Sequence, residues 1–166
     1  MVSNEPAGST TISLRMDSPI GPIVLSGNDR VVTRVLLPAE VSRLGSRFPP
    51  TRGRGPVLAA VHQLDEYFSK RRKAFDLPLQ LVGTEFQREV WLALNKIPYG
   101  ETISYRELAA LVGRPRAFRA VGQANRTNPV PIILPCHRVV AADGTIGGYG
   151  GGTAIKQQLL AFEGAD

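Results

Sequence analysis

Two copies of one helix-start signature, close together in the second half of the chain, constrain the fold most. Thr84-Glu85-Phe86-Gln87 and Ser104-Tyr105-Arg106-Glu107 each set a hydroxyl residue three positions before a Gln or Glu, the spacing of a capping box. After the first, Phe86, Val90 and Leu94 share a helical face. The second opens a short helix that Gly113 should stop, because glycine accepts the left-handed backbone on which helices end. Pro115 then suits the first turn of another helix over roughly residues 116–125. Two short helices joined by a tight Gly-Arg-Pro turn read as a helix-turn-helix.

The first half reads differently. Residues 1–11 look like a loose terminus. Ile12, Leu14 and Met16 alternate with polar residues as a strand does. A Pro-Ile-Gly-Pro turn follows, then Ile23-Val24-Leu25, and the Gly27-Asn28-Asp29 cluster predicts a hairpin into a strand over residues 31–37. Residues 47–56, rich in Pro, Arg and Gly, read as a linker or surface loop. Residues 57–68 have helical spacing, with Val57, Val61, Leu64 and Phe68 on one face. The expected class is α/β (α+β): an antiparallel sheet-plus-helix lobe over 1–82, and a mainly helical lobe with the helix-turn-helix over 83–166.

Net charge is +6, which favours a polyanionic partner, although solubility alone accounts for such a charge. The single Cys excludes an internal disulfide and any multi-cysteine zinc site, and there are only two His. No metal and no cofactor are expected. No apolar run is long enough to span a bilayer, and the first residues lack the basic-then-apolar pattern of a secretory signal. The expectation is a cytoplasmic protein, monomeric, with no membrane attachment and no obligate protein partner.

Three segments carry chemistry. Residues 113–128 hold Arg114, Arg116, Arg119 and Arg126 and no acidic residue, which suits phosphate contact. Ala117, Ala120, Gly122 and Ala124 on the same helix would let its backbone approach a minor groove. A solvated basic helix packed on the core by its small residues fits the segment equally well. After Asn128-Pro129, Ile132-Ile133-Leu134 reads as a buried extended segment delivering Pro135-Cys136-His137-Arg138. A thiol beside a histidine and an arginine is an activated nucleophile, but neighbours in an extended chain point apart. They cooperate only if the backbone turns or a water bridges them, and this tetrapeptide alone better describes an inert buried Cys. Third, the glycine-rich stretch 147–152 suits a wall whose N–H groups face a ligand, or a plain surface loop. Thr153 is placed to cap a last helix ending near Glu163-Gly164.

Residues 132–140, Ile-Ile-Leu-Pro-Cys-His-Arg-Val-Val, resemble the active-site motif of the O6-alkylguanine-DNA alkyltransferases. The resemblance runs from about Gly83 to Gly164 through Ser104-Tyr105, Arg119-Ala120-Val121-Gly122, Asn128-Pro129, Tyr149 with its glycines, and residues 159–164. It implies transfer of an alkyl group, mainly methyl, from guanine in double-stranded DNA to the protein's own thiol, once per molecule.

By that resemblance Cys136 is the acceptor, His137 the base acting through a water, and Glu163 the carboxylate orienting the imidazole. Asn128 matches the residue bracing the turn between recognition helix and active-site strand. Arg119 matches the finger that replaces the flipped nucleotide, and Tyr105 the residue that assists flipping and donates to the guanine ring. Backbone groups around Cys136, Val139 and Gly150, with Tyr149, would line the base pocket; Gly122 and Arg126 would face DNA. Two departures stand out. Cysteines that hold zinc in some relatives are missing, and Gly150 stands where some relatives have serine. Two rival readings are a non-catalytic helix-turn-helix protein related to this family, and a cysteine hydrolase.

Overall fold

The computed structural model describes residues 10–45, 53–147 and 151–165. The chain forms two compact units, Met1–Val82 and Gly83–Asp166. Among the described residues no helix is long and apolar enough to cross a membrane.

In the first unit, β1 (Ile12–Met16), β2 (Ile23–Gly27) and β3 (Val32–Leu36) form an antiparallel sheet in the order β1-β2-β3. The β2–β3 turn is held by Asn28, whose Oδ1 accepts from the N–H groups of Arg30 (2.8 Å) and Val31 (3.0 Å), an Asx turn of the kind asparagine favours. Val24 pairs with Leu36 and Leu25 with Val35, so alternate residues serve opposite faces.

Val24 and Leu36 cluster with Val41 of α1 (Pro38–Leu44). This helix was not foreseen; Pro38 opens it and Glu40 accepts from the Leu37 N–H at 3.2 Å. Helix α2 (Gly55–Phe68) packs on β1 and β2. Its buried face is Val57, Ala60, Leu64 and Tyr67, not the expected Val57, Val61, Leu64 and Phe68. The helix is rotated so that fully buried Tyr67 meets the Phe68 and Phe75 rings. Most of the expected linker at 47–56 lies outside the described residues, and its last two residues already belong to α2.

In the second unit both capping boxes form. Thr84 accepts from the Gln87 N–H at the start of α3 (Glu85–Ala93), and Ser104 accepts from the Glu107 N–H at the start of α4 (Tyr105–Leu111). Gly113 stops α4 with a φ of 72°, and the Gly113 and Arg114 N–H groups return to the carbonyls of Ala110 and Ala109.

Helix α5 runs Phe118–Arg126, beginning later than expected. Pro115 sits in a turn closed by the Ala117 N–H on the Arg114 carbonyl, the second position of a β-turn, where proline is also favoured. The Arg106 guanidinium lies over the Phe118 ring at 4.5 Å. Val121, Ala124 and Asn125 form the buried face of α5, and Trp91 on α3 donates from Nε1 to the Ala124 carbonyl at 2.7 Å. A short parallel pair, β4 (Ile103–Ser104) with β5 (Val139–Val140), joins the start of α4 to the segment after Cys136. Helix α6 (Thr153–Glu163) ends at left-handed Gly164. Gly152, not Thr153, occupies its cap position, and no side-chain cap forms.

Candidate active site

The segment carrying Cys136 is not extended. Asn128 Oδ1 accepts from the Val130 N–H at 3.0 Å and its Nδ2 donates to the Leu134 carbonyl at 2.8 Å, folding residues 130–134 into a tight turn. Ile132 sits there with φ 72°, a conformation that costs a β-branched residue about 1–3 kcal/mol and persists only where its surroundings hold it. Cys136–Arg138 then form a 3-10 turn. The apolar, β-branched composition suggested a strand; the Asn128 side chain, by satisfying the backbone groups a strand would leave open, makes a turn instead. The backbone therefore turns at Cys136, which is what cooperation with His137 needs.

Cys136 is buried, 3% exposed. Its N–H donates to the Leu134 carbonyl at 2.8 Å, and its carbonyl accepts from the Val139 N–H and from Asn125 Nδ2, the latter at 3.3 Å. His137 is fully buried, with Nε2 at 2.8 Å from Glu163 Oε1.

Arg138 clamps that same carboxylate, Nε to Oε2 and Nη2 to Oε1, both at 2.9 Å, and its Nη1 donates to the Ile97 carbonyl. The Gly100 N–H adds a longer contact at 3.3 Å. Glu163 is thus held at both oxygens, as a bidentate arginine pair requires. The arginine foreseen near the thiol is committed to the carboxylate instead.

Burial holds the His137 pKa below its ordinary 6.5 despite the upward pull of Glu163. Desolvation of the cation outweighs the carboxylate, whose pull the Arg138 charge opposes. The imidazole is neutral at pH 7. A carboxylate only accepts, so Nε2 carries the proton and Nδ1 carries the lone pair.

Tyr105, the first residue of α4, is half-buried. Burial raises its phenol pKa, the Arg126 charge lowers it, and Cys136 raises it again, so at neutral pH it is a hydrogen-bond donor. Lys156 was missed. Fully buried on α6, it donates from Nζ to the Val139 carbonyl at 2.6 Å, 5.8 Å from the Tyr105 ring centroid. Burial pulls its pKa down to about 8, against an upward pull from Cys136. The signal was legible: Lys156, Leu159, Leu160 and Glu163 fall at helical spacing on one face, with charged residues at both ends of an apolar stripe.

Val139 lies buried on β5 with its N–H and carbonyl engaged by Cys136 and Lys156. Tyr149 and Gly150 lie outside the described residues.

On the helix-turn-helix, Arg116, Arg119 and Arg126 are exposed. Arg114 instead pairs with Glu89 at 3.3 Å and lies over the Phe86 ring. Ala120 is exposed and Gly122 half-buried, whereas Ala124 belongs to the core face. Among the described residues no cluster of three or more His, Cys, Asp or Glu is placed to hold a metal.

Both halves of the sequence match family models: residues 13–81 the ribonuclease-like domain, and residues 85–165 the DNA binding domain, of 6-O-methylguanine DNA methyltransferase. Methylated-DNA–protein-cysteine methyltransferase of Mycobacterium leprae is 50% identical over 151 residues, covering 89% of each chain. The constitutive enzyme of that name from Bacillus subtilis is 44% identical, covering 89% of this chain and 92% of its own. The crystal structure of Mycobacterium tuberculosis OGT in complex with DNA superposes with a TM-score of 0.82 at 47% identity, covering 92% of both chains. The chain belongs to the 6-O-methylguanine DNA methyltransferase family.

Proposed function

We infer that this chain is a DNA repair protein that takes the alkyl group of O6-alkylguanine in double-stranded DNA irreversibly onto Cys136. The observation that carries the assignment of residues is the buried Glu163–His137 pair, clamped by Arg138, beside the chain's one thiol on a 3-10 turn. The alkyl carbon on O6 is a soft electrophile open to in-line displacement, for which a thiolate is the best nucleophile among side chains at neutral pH. A neutral His137 takes the thiol proton as attack proceeds, so no standing thiolate–imidazolium pair is needed. Duplex stacking hides the reacting carbon, so the nucleotide is flipped out. Arg119 fills the gap, Arg126 and the backbone at Gly122 meet the DNA, and Tyr105 donates to the ring as negative charge develops there. Backbone groups near Val139 and Gly150, with Tyr149, wall the base. The protein works as a cytoplasmic monomer without metal or cofactor. Incubation with O6-methylguanine DNA followed by intact and peptide mass spectrometry should find one added methyl, on the Cys136 peptide. A methylated protein with Cys136 unmodified would sink the assignment.

Two further outcomes follow from residue positions. Arg119→Ala should slow repair of duplex DNA much more than transfer from free O6-benzylguanine, measured as single-turnover rates on both. A mere phosphate contact would weaken binding and flatten its salt dependence instead, and equal loss on both substrates would indicate a folding defect.

Gly147 sets the second. A Cβ there would lie 2.5 Å from the Tyr105 hydroxyl and 2.8 Å from Cε2, so in Gly147→Ala the ring and the residue 147 backbone must move apart. Transfer from free O6-benzylguanine should fall about tenfold or more, the scale on which lost transition-state hydrogen bonds are felt, with little change in melting temperature. Combined with Tyr105→Phe, the double variant should be no slower than the worse single. Independent losses would show that Gly147 acts elsewhere.

A further inference from the structure

Two buried side-chain polar atoms have no hydrogen-bond partner among the described residues, Nδ1 of His137 and Oδ1 of Asn125. Both belong to residues that meet Cys136. His137 follows it in the chain, and Asn125 grips its carbonyl through Nδ2. Buried polar groups are partnered in the great majority of cases, so two on residues joined to the Cys136 backbone point to a shared ligand. Both atoms are acceptors, one the lone-pair nitrogen of a neutral imidazole and the other a carboxamide oxygen. The ligand that satisfies two acceptors is a double donor, and water is the smallest one. Its own lone pairs then face outward to receive a proton.

We propose that Asn125 is a positioning residue for alkyl transfer, its Oδ1 fixing the water through which the Cys136 proton reaches Nδ1 of His137. This rests on the function inferred above. As Sγ bonds to the alkyl carbon, the carbon–O6 bond breaks and its electron pair stays on the guanine. The Sγ proton passes to the water, which gives one of its own to Nδ1, leaving an imidazolium beside Glu163. Asn125 lies on the buried face of α5, with Val121 and Ala124, so the helix bearing Arg119 and Arg126 also holds the proton path in register. The sequence offered a signal: a carboxamide at helical spacing on an otherwise apolar stripe.

The test measures single-turnover rates on free O6-benzylguanine against pH, with melting temperature, for the wild type, Asn125→Leu and Asn125→Asp. Asn125→Leu removes one hydrogen bond to the Cys136 carbonyl, which keeps the Val139 N–H, and should lower the melting temperature only modestly. Its rate should fall about tenfold or more. Its neutral plateau should disappear, leaving a rate that climbs with pH through the neutral range as the thiol ionises unaided. Asn125→Asp keeps an acceptor and should retain the plateau.

A slower Asn125→Leu with a wild-type-shaped profile would mean that Asn125 merely ties the Cys136 carbonyl, and the proposal falls. Should Asn125→Leu not fold, Asn125→Ala takes its place under the same criterion: loss of the neutral plateau supports the role, and its retention overturns it. A wild type that takes no alkyl group, or whose rate has no acid limb, overturns the reading of the site itself. An acid limb in the wild type, unchanged in the variants, overturns only the part given to Asn125.

Discussion

Cys136→Ser should abolish alkyl transfer while leaving affinity for DNA largely intact. The reason is chemical rather than steric. A serine hydroxyl is close in shape to the thiol, but it ionises far above neutral pH and is a hard nucleophile facing a soft carbon. DNA affinity should survive because the exposed Arg116, Arg119 and Arg126 lie on or before α5, apart from the buried 3-10 turn, and phosphate contacts dominate affinity. The wild type should repair one equivalent and stop. A thioether has no facile reversal, and the chain has no second cysteine to receive the group. Repair that continues with substrate in excess would show regeneration this chemistry does not allow, as a cysteine hydrolase would. Transfer by Cys136→Ser would displace the acceptor altogether.

What was legible in the sequence was mostly local. The capping boxes at Thr84 and Ser104 and the stop at Gly113 depend on neighbouring residues, and each forms. Sequence expectation and structure part where two local rules compete. Ala60 and Val61, or Tyr67 and Phe68, satisfy the same helical spacing within one residue, and only packing against Phe75 selects Tyr67. Pro115 fits a first helical turn or a β-turn, and Phe118, seated under Arg106, decides for the latter. The β-branched run before Cys136 read as a strand because its composition favours one, but the two hydrogen bonds of Asn128 outweigh that preference.

Roles that span the chain were harder to see. Cys136, His137 and Glu163 were reached through resemblance to a family, since no periodicity brings residue 137 to residue 163. Arg138 was in view as a neighbour of the thiol, yet its partner is the carboxylate 25 positions away. Lys156 and Asn125 were passed over, although each interrupts an apolar helical stripe. A charged or amide residue on a core face needs a buried partner, and in both cases that partner lies on the segment of Cys136 and Val139. Polar exceptions on apolar stripes are thus a sequence-level pointer to this site.

Glu163→Gln should cost both rate and stability, and the two losses should separate in combination with other variants. The carboxylate orients His137 and also balances Arg138, with its side chain fully buried and that of Arg138 nearly so. Removing one partner of such a pair typically costs about 3–5 kcal/mol, because the other is left charged and buried. His137→Ala leaves the Arg138 pair intact and should destabilise less, while slowing transfer roughly a hundredfold or more through loss of the base. If the two residues act as one unit on the thiol, the double variant should transfer no slower than His137→Ala, although it melts near Glu163→Gln. Adding Arg138→Leu to Glu163→Gln removes both charges and should recover part of the stability without recovering the rate. The pH dependence follows from the direction of the His137 shift. Its folded pKa lies below 6.5, so the rate should be flat through neutral pH and fall in acid once the imidazole takes up a proton. The unfolded chain binds that proton first, so the stability His137 contributes is complete above about 6.5 and declines as pH falls below it. The measurements are single-turnover rates on free O6-benzylguanine and denaturant melts for each variant across pH. Rate losses that multiply between His137→Ala and Glu163→Gln would show that the residues act independently, and the relay from Glu163 through His137 to Cys136 would have to be abandoned.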